Sequence, residues 1–227
     1  MSDRIAFPRL VVLSKEKVDP DKQLCRPLYG RREANEPDRP WVAVATGREG
    51  GAFVLAERSG GKALVDQATA TLNHCPHKWT VSETKGALFW KRPSLLRAYG
   101  DLGVPVTEMA TEGAGIDDLS TDLILREDVM AEAEGLLKSQ NLLVVVPKRG
   151  WLMVSAGKPG EFPAMLPMHK IADGIAERGG RDGITKLVFF YGGGRLAGWS
   201  QLADGKGALS LTVRADDDPW GLAAASS

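Results

Sequence analysis

Apolar residues along this chain fall in short runs, and the densest is Asn141–Ser155, NLLVVVPKRGWLMVS. Its centre, Pro147-Lys148-Arg149-Gly150, carries turn residues, so the run predicts a hairpin of Leu142–Val146 against Trp151–Ser155. Both arms are nearly continuous in apolar residues, a pattern that needs cover on both faces of the sheet. Other runs have the same length and the same punctuation. Phe7–Ser14 predicts a first strand, Lys15–Pro40 a polar surface excursion, and Trp41–Thr46 with Ala52–Glu57 a hairpin. Apolar residues Leu64, Val65, Ala68 and Leu72 share one face of a helix that ends near Asn73, before Pro76. Trp79–Glu83 and Ala87–Lys91 predict a hairpin about Thr84-Lys85-Gly86, followed by a short helix from Ser94 through Leu95, Leu96 and Tyr99.

The second half repeats this order. A helix from Arg126 to Lys138 carries Val129, Met130, Ala133, Leu136 and Leu137 on one face and leads into the Asn141–Ser155 hairpin. A third helix, between Pro163 and Arg178, buries Met168, Ala172 and Ile175, with Pro167 expected to break or kink its first turns. Ile184–Tyr191 and Arg195–Gln201 form a hairpin about Gly192-Gly193-Gly194, and Ala208–Arg214 alternates as an edge strand. A constant offset carries Val65 onto Val129, Leu72 onto Leu136, Val81 onto Val145, Gly86 onto Gly150 and Leu88 onto Leu152. The expected fold is therefore α+β, a mostly antiparallel sheet built from repeated helix–β-hairpin units with helices packed on it. Residues 1–103 would hold the N-terminal hairpin and first unit, 104–122 a linker or exposed loop, 123–214 the second and third units, and 215–227 a flexible acidic, Trp-bearing tail.

The helix ending in Ala68, Ala70, Leu72 and Asn73, the Val145–Arg149 stretch before a Leu-rich return strand, and the Tyr191–Leu196 hairpin together give a pattern over about Trp41–Gln201. It resembles a bacterial family of unknown function, the YtpQ-like proteins, although Gly150 stands where that family carries an acid. The resemblance implies a fold and no established activity.

Composition narrows the function classes. The 227 residues hold 29 Lys plus Arg against 29 Asp plus Glu, and a protein built around nucleic acid usually has a basic excess. Arg26, Arg31, Arg32, Lys85, Lys91, Arg92 and Arg97, interleaved with Tyr29, Phe89, Trp90 and Tyr99, keep single-strand binding as an alternative. Two cysteines, Cys25 and Cys75, are too few for a disulfide framework. The N-terminal apolar run is too short for a signal peptide and no stretch reaches the roughly 20 residues of a membrane helix, so a cytoplasmic protein is expected.

The sharpest chemical cluster is His74-Cys75-Pro76-His77. Imidazole and thiolate are zinc ligands, so His74, Cys75 and His77 could supply part of a site, with Cys25 and His169 the remaining Cys and His side chains. The spacing matches no standard finger, and histidines also suit a helix C-terminus for its dipole alone. A thiol enzyme would use Cys75 with His77 or His169 as base, yet a helix C-terminus raises a thiol pKa. Gly192-Gly193-Gly194-Arg195 lies between strands rather than before a helix, so it reads as a turn and not as a phosphate loop. In the tail, Asp217, Asp218, Trp220 and Leu222 present an aromatic after an acidic run and are candidates for docking on a partner. The reading that fits best is a non-catalytic protein-binding component of adaptor, immunity or assembly type, with no cofactor, acting on another protein or a second copy of itself. A metal or thiol enzyme at His74, Cys75 and His77 is the alternative class.

Overall fold

The computed structural model describes residues 7–30, 38–50, 52–85, 91–100, 119–203, 206–210 and 220. Two antiparallel sheets and the helices between and upon them make an α+β fold.

The smaller sheet is built on β3 (Trp41–Glu49). Strand β1 (Arg9–Leu13) pairs with its first half from Leu13↔Trp41 to Arg9↔Ala45, and β2 (Cys25–Pro27) lies on the other side with Cys25 opposite Ala43. Strand β4 (Ala52–Leu55) pairs with the second half after the turn at Gly50. β2 corrects the expected surface excursion over Lys15–Pro40. Leu24, Cys25, Leu28 and Tyr29 are buried there, and Leu24 joins its N–H to Ala56 O at 2.8 Å. Two apolar pairs flanking Arg26-Pro27 are enough to hold the segment against β3, and the polar residues around them masked that signal.

Helix α1 (Gly61–Asn73) lays Val65, Ala68 and Leu72 on β1 and β3. Its 3- and 4-residue spacing keeps the three on one face, as the sequence predicts. The chain then enters the larger sheet, whose order is β11-β10-β9-β7-β8-β6-β5. Strands β5 (His77–Lys85) and β6 (Lys91–Gly100) form a long hairpin, and β8 (Leu152–Ala156) pairs with β6 only over Leu96–Ala98. The helix expected from Ser94 is part of β6 instead. Leu96 and Ala98 point to one side and are buried, a period of two that six residues could not separate from a helical period. The return arm expected at Ala87–Lys91 falls mostly on residues outside those described.

A 3-10 segment, Leu119–Leu125, buries Leu119, Ser120, Thr121, Asp122, Leu123 and Ile124. The expected exposed linker thus ends in the core, its earlier residues lying outside those described. Helix α2 (Glu127–Leu137) follows, with Glu127 and Asp128 in its first turn, where the dipole favours acids. Strand β7 (Asn141–Val145) and β8 then give the predicted central hairpin. Leu142, Val144, Val146, Leu152 and Val154 face α1, α2 and the smaller sheet, whereas Leu143, Val145 and Met153 face helix α3 (Phe162–Gly179) through Met165, Met168 and Ala172. Cover on both faces is what its apolar run required. Pro167 lies inside α3 without ending it. Proline has no N–H to give to Pro163 O, and the buried Met165 and Met168 hold the turns on both sides.

Strand β9 (Val188–Gly192) pairs with β7, and β10 (Arg195–Ala203) returns across Gly193 and Gly194, whose φ of 60° and 73° suit glycine in a primed turn. Strand β11 (Lys206–Ser210) is the last at this end of the sheet among the described residues and overlaps the expected Ala208–Arg214 strand over 208–210, the rest of which lies outside those described. The two helices aligned by the constant offset serve different sheets, since α1 packs on β1 and β3 while α2 packs on β6 and β8. Val81 is 40% exposed and its offset partner Val145 is fully buried. The sheet also runs through the expected unit boundary, because β6 pairs with β8. No helix among the described residues is long and apolar enough to cross a membrane.

Candidate functional site

The His74–His77 turn sits where α1 ends and β5 begins, and helix geometry sends its polar groups in different directions. His74 Nδ1 lies 2.6 Å from Ala70 O, and the Cys75 thiol donates to Thr71 O at 3.2 Å. Both bond carbonyls of the last helical turn, Ala70 O also accepting the His74 N–H at 3.2 Å. His77 has left the helix and turns Nε2 to Glu132 Oε2 of α2, 2.6 Å away. Arg126 also reaches this turn, donating from Nη1 to Cys75 O at 2.6 Å, while its Nε and Nη2 hold Asp128. Those bonds keep the Asp128 carboxyl below its ordinary pKa. Burial pushes the Cys75 thiol up, against the opposing pull of Arg9 and Arg126. The turn is thereby pinned to α2 at two points. No group of three or more His, Cys, Asp or Glu side chains is placed to hold a metal ion among the described residues.

His169 is also placed away from Cys75. It projects from α3 and lies with Nε2 2.9 Å from Ser200 Oγ on β10, and the two residues are 3% and 0% exposed. A serine beside a histidine suggests a nucleophile, but both are closed to solvent and the nearby Asp173 carboxylate holds Lys186 at 2.8 Å. Burial lowers the His169 pKa, with Asp173 opposing. Since the unfolded chain then binds the extra proton more readily, the contribution of this pair is complete above the ordinary value of 6.5 and is lost as pH falls through the lower folded value. Urea midpoints measured from pH 7.5 down to 5 should therefore decline, and His169→Gln, which can still bond Ser200, should flatten that part of the decline. An unchanged slope would remove His169 as its source.

The deepest polar contact joins three distant segments. Asp122 Oδ1 accepts the Val12 N–H at 2.7 Å, and Arg149 grips both Asp122 oxygens while donating from Nη1 to Val12 O at 3.3 Å. Thr121 Oγ1 donates to Lys148 O and accepts the Trp151 N–H, each at 3.2 Å. The Lys148-Arg149-Gly150 turn is thereby tied to β1 and to the 3-10 segment Leu119–Leu125. Cationic groups nearby are also stacked on the protein's own rings. Phe53 is approached by the guanidinium carbons of Arg9, Arg48 and Arg149 at 5.0, 4.6 and 5.3 Å, and Arg97 lies 3.7 Å from the Trp151 ring centre.

Trp220 is half-buried against the main core, with Arg26 over its ring at 5.4 Å. Asp217, Asp218 and Leu222 lie outside the described residues, as do Arg31, Arg32, Phe89 and Trp90 of the basic and aromatic set. Of that set, Arg26 and Arg97 each stack on an indole of this chain, and Tyr29 is buried against Phe189 and Trp199.

The outer edge of β5 is a further feature of the described residues. It is the last strand of the larger sheet, and no strand pairs with its outer side among the described residues. Lys78, Thr80, Ser82 and Glu83 are exposed, as is Val81, although the residue opposite Val81, Leu96, is fully buried. Val81 lies on the same face as His77 and Trp79. The irregularity between Ser82 and Glu83 leaves Ser94 as the extra residue on β6, where its hydroxyl bonds Ser82 O at 3.1 Å and its carbonyl accepts Ser155 Oγ at 2.9 Å. The bulge and Pro93 therefore lie one strand inward, and β5 runs its nine residues without an insertion. Sequence reasoning placed a strand here but gave it no site, because an edge is defined by the strand that fails to pair with it.

No family model, no curated protein and no solved structure matches this chain.

Proposed function

We propose that this chain is a non-catalytic protein-binding component that takes an extended segment of its partner onto the outer edge of β5. The observation that carries this reading is Val81, 40% exposed at the middle of an uninterrupted edge strand. Edge strands present unpaired N–H and C=O groups, and proteins that do not use them blunt them with proline, a bulge or inward charge. In this hairpin the proline and the bulge lie on β6, and the charged residues Lys78 and Glu83 of β5 stand on either side of the Thr80–Ser82 centre, which leaves the outer ladder regular about Val81. Main-chain bonds to an added strand would supply affinity, and the side chains of alternate residues would supply selectivity. The contacts of His74, Cys75 and His77 favour a junction that holds β5 against α2, which is a supporting role in the same reading.

A photo-crosslinking residue in place of Thr80, in the full chain in its own cells, should give discrete covalent adducts. Adding Val81→Lys, an inward-pointing charge of the kind that closes natural edges, should abolish them with an unchanged circular dichroism spectrum. Adducts of the same size and yield in the Val81→Lys protein would refute binding at this edge.

A further inference from the structure

We infer that the strand seated on β5 is β5 of a second copy, antiparallel, with the twofold axis passing through Val81. This rests on the edge-binding reading above and gives its partner an identity.

An isologous contact requires a surface complementary to itself under a twofold rotation. Strand β5 runs His77–Lys85, so Val81 is its midpoint, and pairing about that residue lets the whole strand enter the ladder. Val81 then meets Val81, Thr80 meets Ser82, and Trp79 meets Glu83 of the other copy. Hydroxyl–hydroxyl and apolar–apolar pairs are favourable directly across an antiparallel ladder, and the outer positions set Lys78 opposite Thr84 and His77 opposite Lys85, the one pairing of two basic residues, at the strand ends where His77 already meets Glu132. The side chain at the centre is the exposed valine, which two copies would cover with each other. The irregular residue, Ser94, is on the inner strand and bonded to Ser82 and Ser155, so nothing on β5 interrupts the new ladder. The product is one sheet continued through two chains.

Symmetry gives a test that an ordinary surface substitution lacks. In the paired form, Val81→Lys sets two ammonium groups opposite each other on the axis, and Val81→Glu sets two carboxylates there. By sedimentation equilibrium of the full chain, the unaltered protein should show the mass of two chains. Each variant alone should fall to the mass of one chain, and an equimolar mixture of the two should return to two. Rescue by mixing separates pairing at Val81 from unfolding, because an unfolded variant would not be restored by its partner. A dimer that both variants retain, or one that both lose without recovery on mixing, would overturn the inference, as would an unaltered protein that stays monomeric over the whole concentration range. If that monomer still gave Thr80 crosslinks abolished by Val81→Lys, the self-pairing would fall while binding at the edge stood.

Discussion

Asp122→Ala should lower the stability of the protein by about 3–5 kcal/mol, the range for removing one partner from a buried ion pair. Asp122 is fully buried and holds two other segments, taking the Val12 N–H from β1 and both terminal nitrogens of Arg149 from the β7–β8 turn. Its loss leaves the Arg149 guanidinium, whose side chain is 13% exposed, without the carboxylate that compensates its burial. Arg149→Ala has the converse effect, since the carboxylate keeps only the Val12 N–H among these contacts. The double variant should therefore cost less than the sum of the two single changes, by a coupling within about 0.5–3 kcal/mol. Urea unfolding with unchanged slopes measures all three. Additive losses, or a single loss under about 1 kcal/mol, would show that the pair does not hold these segments together.

Phe189→Ala is the other large effect, about 3–5 kcal/mol for a fully buried ring in a core that cannot close over the space. Phe189 is fully buried on β9, and Tyr29 meets its ring at 5.8 Å and 62°, an edge-to-face arrangement. Tyr29 also stands 5.9 Å from the Trp199 ring, so the segment before residue 30 is fixed to β9 and β10 through aromatic contacts. Phe189→Leu should cost less than Phe189→Ala, because it leaves a smaller void. The signature of the ring pair is a smaller effect of Phe189→Ala in a Tyr29→Ala background, read from thermal midpoints. Equal effects in both backgrounds would assign the whole loss to the cavity.

The double-faced burial of Leu142–Val146 was legible because no other arrangement hides adjacent apolar side chains that point to opposite sides of a strand. The α1 and α2 faces were legible for a similar reason: one turn of helix repeats within a few residues. What required the fold was anything set by distant neighbours. Arg149 in its turn looks like a surface cation until Asp122 and Val12 come to it from elsewhere in the chain. His74, Cys75 and His77 are close in sequence yet face different partners, because the first two remain on the helix end and the third begins a strand. Leu95 and Leu96 fit a short helix and a strand equally well, and pairing of Leu96 with both Val81 and Val154 decided between them. The openness of β5 depends on strand order, which no local pattern encodes.

The order of strands across the larger sheet also constrains the protein while it is being made. The chain leaves the ribosome with β5 and β6 early, but β6 takes its inner neighbour from β8, and β8 from β7, which itself pairs with β9. Leu96 and Ala98 therefore have no sheet neighbour on that side until residues 152–156 have been synthesised. During that interval β6 also lacks the partner that covers its inner side in the finished fold. Contacts this far apart in sequence close slowly. The nascent chain thus passes through a stage in which its future interior is an exposed apolar surface, the condition under which a chain is prone to aggregate.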